Sequence, residues 1–362
     1  MPQSVTRSEA KGEPSPDIVV VTCLRDEGPY VTDWIAHLKA LGVRRMLAYT
    51  NDCADGSERL LDALAPAGVI HVPQGACRGL EGPAPQWRAL RAAWAHPAVQ
   101  EADWLLHLDV DEWIALTGPA RLPDLIDACG DAQAIALPWR LFGCDGRFEP
   151  GEGMVPERFT RAAPEAMAFP ALGSFFKTLF RRDGPFTGFG IHRPEQIAPP
   201  VFADETGRPD AALARAPGRI LLWRGGDPVP GRLVQLNHYS IRSIHEFLVK
   251  RGRGLPNHTG KEIDLTYWVE RNFNAVRCRA IEPLLPVVRG VAEGLRALDG
   301  VAEAEAQSRA WHAAALEAVL AKPEGAALCG RLVLAAGSVA PEPRLGRHLI
   351  ALRRAALAGR RA

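Results

Sequence analysis

The chain has 362 residues, 47% hydrophobic and 23% charged, with a formal net charge of +1, a composition that suits one large globular domain or two small ones. Charge so close to zero excludes a global field recommending DNA, RNA or an acidic polymer as partner. No stretch approaches the roughly 20 apolar residues that span a bilayer. The polar tail Met1–Pro16, with Arg7, Glu9, Lys11 and Glu13, lacks the apolar segment of a signal peptide, so a cytoplasmic location is expected.

Taken in chain order, residues 17–143 alternate strand and helix. The continuous apolar run Ile18–Val21 predicts a strand covered on both faces. Gly28-Pro29 opens a helix with Val31, Trp34, Ile35, Leu38 and Leu41 at helical spacing, ended by Gly42. A second strand is predicted over Arg45–Tyr49, then a helix over Ser57–Leu64 with Ser57 as N-cap. Val69–Val72 reads as a third strand, Gln86–Ala95 as a helix and Trp104–Leu108 as a fourth strand. Leu122–Ala128 and Ala134–Leu137 continue the series. This alternation predicts an α/β fold whose mostly parallel sheet carries helices on both faces, with ligands bound beyond the carboxyl ends of the strands. Residues 143–232, rich in Gly, Pro and aromatics, predict long loops and short strands. From Ile241 the helical signal returns, and residues 280–362 predict helices broken at Pro323, Pro341 and Pro343. The expected division is a disordered tail over 1–16, a catalytic domain over 17–255 and a helical extension over 256–362. The seven cysteines, at 23, 53, 77, 129, 144, 278 and 329, include no Cys-x-x-Cys pair. They read as reduced, buried small hydrophobes.

The chemistry concentrates where the fourth strand runs out. Asp109 and Asp111, one residue apart, point to the same side of an extended strand. They can share a hard divalent cation, Mg²⁺ or Mn²⁺, that would bridge to a diphosphate and take up the charge of a departing nucleoside diphosphate. An acidic turn capping the next helix is the plainer alternative. The first strand ends in Thr22-Cys23-Leu24-Arg25-Asp26-Glu27 and the second in Thr50-Asn51-Asp52-Cys53-Ala54-Asp55-Gly56-Ser57, so three strand ends meet at a polar crevice. Thr22, Arg25, Asp26, Asn51 and Asp52 are the candidate donor contacts, Asp26 or Asp52 accepting from a ribose or a uracil N–H. Asp55 reads as turn and cap chemistry. Gln86 is a further donor candidate.

Together with Leu108-Asp109-Val110-Asp111-Glu112-Trp113, these segments resemble the family 2-type glycosyltransferases, and among them the branch related to family 92. Trp139-Arg140-Leu141-Phe142-Gly143, Pro156-Glu157-Arg158-Phe159, Lys177, His192 and Asn237-His238-Tyr239-Ser240 with Arg242-Ser243 extend the resemblance over roughly residues 17–255. It implies a GT-A fold, a nucleoside-diphosphate sugar donor with UDP-hexose favoured, and inversion at the anomeric carbon. Trp113 stands where Phe is more usual, and Cys144-Asp145 replaces a Ser-rich turn, which bears on acceptor choice. The resemblance further implies His238 as a third metal ligand and Glu157 as the general base, with Asp145, Glu149 and Glu112 as competitors. Trp139, Phe142, Lys177 and His192 are the expected acceptor contacts, with a saccharide or glycolipid of a surface polysaccharide as acceptor. Lys250, Arg251 and Arg253 lie in a glycine-punctuated basic stretch suited to phosphate. Leu345, Leu349, Leu352 and Ala356 share a helical face in a segment with five arginines and no acid, a pattern that fits either packing on the domain or peripheral contact with the inner membrane face.

Three other protein classes share parts of this pattern. A sugar-1-phosphate nucleotidyltransferase would carry a glycine-rich loop after the first strand, which Thr22–Glu27 lacks. A dehalogenase-type phosphatase would place Asp-x-Asp after the first strand. The intact Asp109, Asp111 and His238 argue against a sugar-nucleotide-binding protein of the same fold without transfer activity.

Overall fold

The computed structural model describes residues 15–77, 82–254 and 263–359; most of the N-terminal tail expected to be disordered lies outside them. The sheet and its main layers are β1 (Ile18–Leu24), α1 (Gly28–Ala40), β2 (Arg45–Thr50), α2 (Ser57–Ala63), β3 (Val69–Pro73), α3 (Pro85–Trp94), β4 (Trp104–His107), β5 (Glu112–Leu116), α4 (Leu122–Ala128), β6 (Ala134–Leu141), β7 (Phe176–Arg181), β8 (Phe202–Ala203), β9 (Val234–His238), α5 (Ile244–Arg253), α6 (Leu285–Arg296), α7 (Val301–Leu320), α8 (Pro323–Leu334) and α9 (Pro343–Gly359). Nine strands form one sheet in the order β3-β2-β1-β4-β7-β6-β9-β5, with β8 beside β6. Only β7 and β5 run against the rest, so the sheet is mostly parallel, as expected.

Alternation along β1 explains why its sequence is apolar throughout. Ile18, Val20 and Leu24 join one core with Trp34, Ile35, Leu60 and Leu61, while Val19, Val21 and Cys23 join another with Ala89, Leu90, Phe176 and Phe180. Helices therefore cover both faces. α6 and α7 belong to the first of these cores through Leu285, Val288, Leu295, Val301 and Ala304. The segment expected as an extension is thus packed into the same core as the strands. α8 closes a third cluster with α5 through Phe247, Leu328 and Leu332. α9 packs through Gly346 and Ile350, with Arg347 donating to the Gly225 carbonyl, and leaves Leu345 and Leu352 exposed. No helix among the described residues is long and apolar enough to cross a membrane.

Several local expectations change. β6 runs on to Leu141, which puts Trp139 and Arg140 on a strand. Ser57 is not the N-cap of α2; Gly56, at φ 86°, holds that place, and Ser57 is the first helical residue. The capping oxygen comes from Asp55, whose Oδ1 accepts from the Ser57 amide at 2.9 Å and its hydroxyl at 2.6 Å. Lys250–Arg253 is the last turn of α5, ended by Gly254, and not a loop.

Asp55 does more than cap. Its Oδ2 accepts from the Gly28 amide at 2.9 Å, the Ser308 hydroxyl at 2.8 Å and His312 Nε2 at 3.2 Å, so one buried carboxylate ties α1, α2 and α7 together. Gly28 is required there, because a Cβ would lie 2.1 Å from Ser308 Oγ. Burial acts to raise the Asp55 carboxyl, but hydrogen bonds from His312, Ser57 and Gly28 outweigh it and hold it below the usual carboxylate range. A depressed folded-state pKa stabilises fully above the unfolded value and is lost as pH falls. Asp55→Ala should therefore cost on the order of 3 kcal/mol in urea unfolding at neutral pH, and the gap to wild type should narrow below about pH 4.

Candidate active site

β4 stops at His107, and Asp109 to Glu112 form a tight turn closed by the Glu112 amide donating to the Asp109 carbonyl at 3.0 Å. The two aspartates are therefore presented by a turn and not by an extended strand. The turn lies at the carboxyl edge of the parallel strands, where β1 and β4 pair. The structure gathers much of the expected donor set here. Gln86 Nε2 donates to Asp109 Oδ1 at 2.7 Å and lies 3.0 Å from His107 Nε2. Lys250 Nζ donates to Asp111 Oδ2 at 2.7 Å and to the Ser240 carbonyl at 2.6 Å. His238 Nε2 lies 3.6 Å from Asp111 Oδ1.

Lys177, expected against the acceptor, is instead the counter-ion of the turn. Its ammonium donates to Asp109 Oδ2 at 2.9 Å and lies 3.3 Å from Glu112 Oε2. Glu112 is fully buried, accepting from the Asp109 amide at 2.8 Å and the Trp139 indole N–H at 2.6 Å. Burial alone would raise both aspartates; the Lys177 ammonium holds Asp109 below the ordinary value, and the Lys250 ammonium with a hydrogen bond from His238 holds Asp111 well below it. Burial also keeps the imidazoles neutral, lowering His238 and taking His107 to about 4 and His192 to about 3.

Beside the turn lies a ledge of rings. Trp139 sits 4.0 Å from His238, 5.2 Å from Phe175 and 5.3 Å from His192, and His192 stacks on Phe175 at 4.5 Å. Trp139, Phe175 and His192 are partly exposed, as a platform for a sugar ring requires. Phe142 does not join them. It is 1% exposed and packs on Tyr239 at 4.5 Å, a core residue and not an acceptor contact.

Other expected contacts serve the frame. Asp26, at φ 51°, accepts from the Ala54 and Asp55 amides through Oδ1 and faces Arg25 through Oδ2. Asp52, at φ 47°, accepts from the Cys77 amide at 3.0 Å and from Asn51. Both pin the loops around the crevice. Arg253 pairs with Glu27 and donates to the Arg25 carbonyl at 2.7 Å. Glu157 lies elsewhere, its Oε2 accepting from the Met154 amide at 2.9 Å and its other oxygen paired with Arg289. Arg158, beside it, forms a buried bidentate pair with Glu246.

Buried polar atoms with no partner occur in several parts of the molecule, among them Nε of Arg193 and Arg232, and a group of them falls at this end of the sheet. Thr22 Oγ1, Gln86 Oε1, His238 Nδ1, Ser240 Oγ, and Nε and Nη2 of Arg242 are all such atoms, and all lie on elements lining this crevice. Arg242 was not singled out from sequence as a site residue; its signal is a left-handed φ of 56°, unusual for a bulky side chain.

A divalent cation on Asp109, Asp111 and His238 does not fit this donor set as it stands. Three carboxylate oxygens already accept from Gln86, Lys177 and Lys250, and among the described residues no group of three His, Cys, Asp or Glu side chains is placed to hold a metal.

No family model matches the chain. A glycosyltransferase family 92 protein of Ricinus communis is 23% identical over 175 residues, covering 43% of this chain and 30% of that protein. A second, from Oryza sativa subsp. japonica, is 26% identical over 110 residues, covering 30% and 18%. The chain is similar to glycosyltransferase family 92 proteins. It spans less than a third of the length of these curated relatives. Among solved structures, glucosyl-3-phosphoglycerate synthase from Mycobacterium tuberculosis overlaps 49% of this chain and 62% of that one at 15% identity and TM-score 0.26. The bifunctional glycosyltransferase WbbM overlaps 48% and 33% at 12% identity and TM-score 0.25.

Removing the cation of a buried pair strands its carboxylates. Lys177→Met should cost about 3–5 kcal/mol in denaturant unfolding at neutral pH, whereas Glu157→Ala, in a pair open to water, should cost about 1 kcal/mol or less.

Proposed function

We propose that this protein transfers a hexose from a nucleoside-diphosphate sugar, with UDP as the nucleotide, to a saccharide or glycolipid acceptor in surface polysaccharide synthesis, inverting the anomeric centre. The turn Asp109–Glu112 carries the reading, because it separates two chemically different halves of one crevice. On one side stand Lys250 and Arg242, cationic groups suited to a diphosphate. On the other stands the ledge of Trp139, Phe175 and His192, suited to a sugar face. Asp111 touches Lys250 and His238 and is the carboxylate shared by the two halves.

In this reading the acceptor oxygen bonds to the anomeric carbon as the bond to the diphosphate breaks, and the hydroxyl proton passes to a general base on the face opposite the diphosphate. Glu157, with its contacts on Met154 and Arg289, has no part in that step. The exposed Leu345 and Leu352 on the arginine-rich α9 support peripheral membrane contact, which would suit a lipid-linked acceptor.

Nucleotide release from UDP-, GDP- and dTDP-sugars, with water or added saccharides as acceptors, tests this. Asp111→Asn should lower release by about 100-fold or more, and Glu157→Gln should stay within about twofold of wild type. Release from none of these sugars would refute the proposal.

A further inference from the structure

The cations of the crevice form a set that the acidic turn alone did not announce. Lys177 is 1% exposed and Lys250 8%, so both ammoniums are held against their carboxylates inside the protein. Both carboxylates are thereby neutralised from within. Such a pair is costly to pull apart, because each charge was desolvated on the strength of the other.

Arg242 is poised differently. Glu27 Oε2 accepts from its Nη1 at 3.1 Å, and its guanidinium lies 3.5 Å from the centre of the Tyr30 ring, which fixes its plane. Nε and Nη2 remain buried with no partner. Those two nitrogens form one edge of the guanidinium, the fork that grips two oxygens of a phosphate or carboxylate. Arg242 is 4% exposed and lies four residues beyond the end of β9, near enough to Asp111 for that charge to act on it. A buried, unspent fork close to Asp111, the partner of Lys250, is an anion site missing its anion.

We infer that Lys250 and the Nε–Nη2 edge of Arg242 hold the donor's diphosphate, and that nucleotide binding needs no divalent cation. The inference rests on the donor reading above. The positive charge that a metal would bring to the leaving nucleoside diphosphate is supplied by side chains already in place. Asp109 and Asp111 then act by orienting the two lysines; they do not ligate an ion.

Calorimetric titration of the full chain with UDP, once in EDTA and once in MnCl₂, tests this. The two dissociation constants should agree within about threefold. Lys250→Met should weaken UDP in EDTA by about tenfold or more, and Mn²⁺ should recover part of that loss, since Asp111 is then free. Arg242→Lys keeps the charge and loses the fork, should weaken UDP by about tenfold, and serves alone if Lys250→Met fails to fold. Wild-type binding seen only with Mn²⁺, or Arg242→Lys binding as tightly as wild type, would overturn the inference and leave the donor reading standing. UDP bound under neither condition would overturn both.

Discussion

Buried carboxylates must be matched by cations, and that requirement organises the carboxyl edge of this sheet. Asp109 and Glu112 are served by one lysine and Asp111 by another. The reversed strand β7 is what makes the first match possible. Lys177 is its second residue, and because β7 runs antiparallel to β4 and β6, its beginning lies where they end. A parallel strand in that place would have put its second residue at the opposite edge. α5 makes the second match from the far side, carrying Lys250 on its inner face. Its capping box, Ser243 with Glu246, sets the helix start, and Glu246 is in turn gripped by Arg158.

The glutamate in the turn links this electrostatic frame to the ring ledge. Glu112 takes the Trp139 indole N–H on one oxygen and the Asp109 amide on the other. The carboxylate that orders the turn therefore also fixes the aromatic platform. Trp34 and His37 of α1 hold the next strand from outside, donating to the Glu112 carbonyl at 3.0 Å and meeting the Ile114 carbonyl at 2.9 Å. With so many contacts fixed in the framework, the crevice is preorganised.

Much of the framework was legible in the sequence. Local signals sufficed for β1 to β4 and α1 to α3, because the apolar run at Ile18, the helical spacing from Val31 to Leu41 and the glycines that follow are properties of adjacent residues. β5, β7 and β9 were not read as strands. Each is short, and two are antiparallel returns whose pairing depends on distant segments. At the site, Asp109, Asp111, Gln86, His238 and Lys250 were foreseen as neighbours and are neighbours. Phe142 and Glu157 were misplaced because exposure and distance are not encoded in motif spacing. Lys177 was noticed but given the wrong partner, and the free edge of Arg242 is visible only once Glu27 and Tyr30 have claimed the rest of it. Long-range charge pairing is the part of a site that a linear reading cannot supply.

The contacts of Asp55 bear on how the chain becomes competent as it is made. Two of its partners, Ser308 and His312, follow it by 253 and 257 positions. A ribosome delivers β1, β2 and the crevice loops long before those side chains exist, and domains otherwise tend to consolidate from the N-terminus during synthesis. Until α7 arrives, a carboxylate destined for the interior has only its local donors, and the loop it anchors, which also receives Asp26, is held from one side alone. Contacts of such sequence separation form late and slowly. The loop that carries Asp55 therefore gains its last two buried donors only after the strands of the sheet have been made.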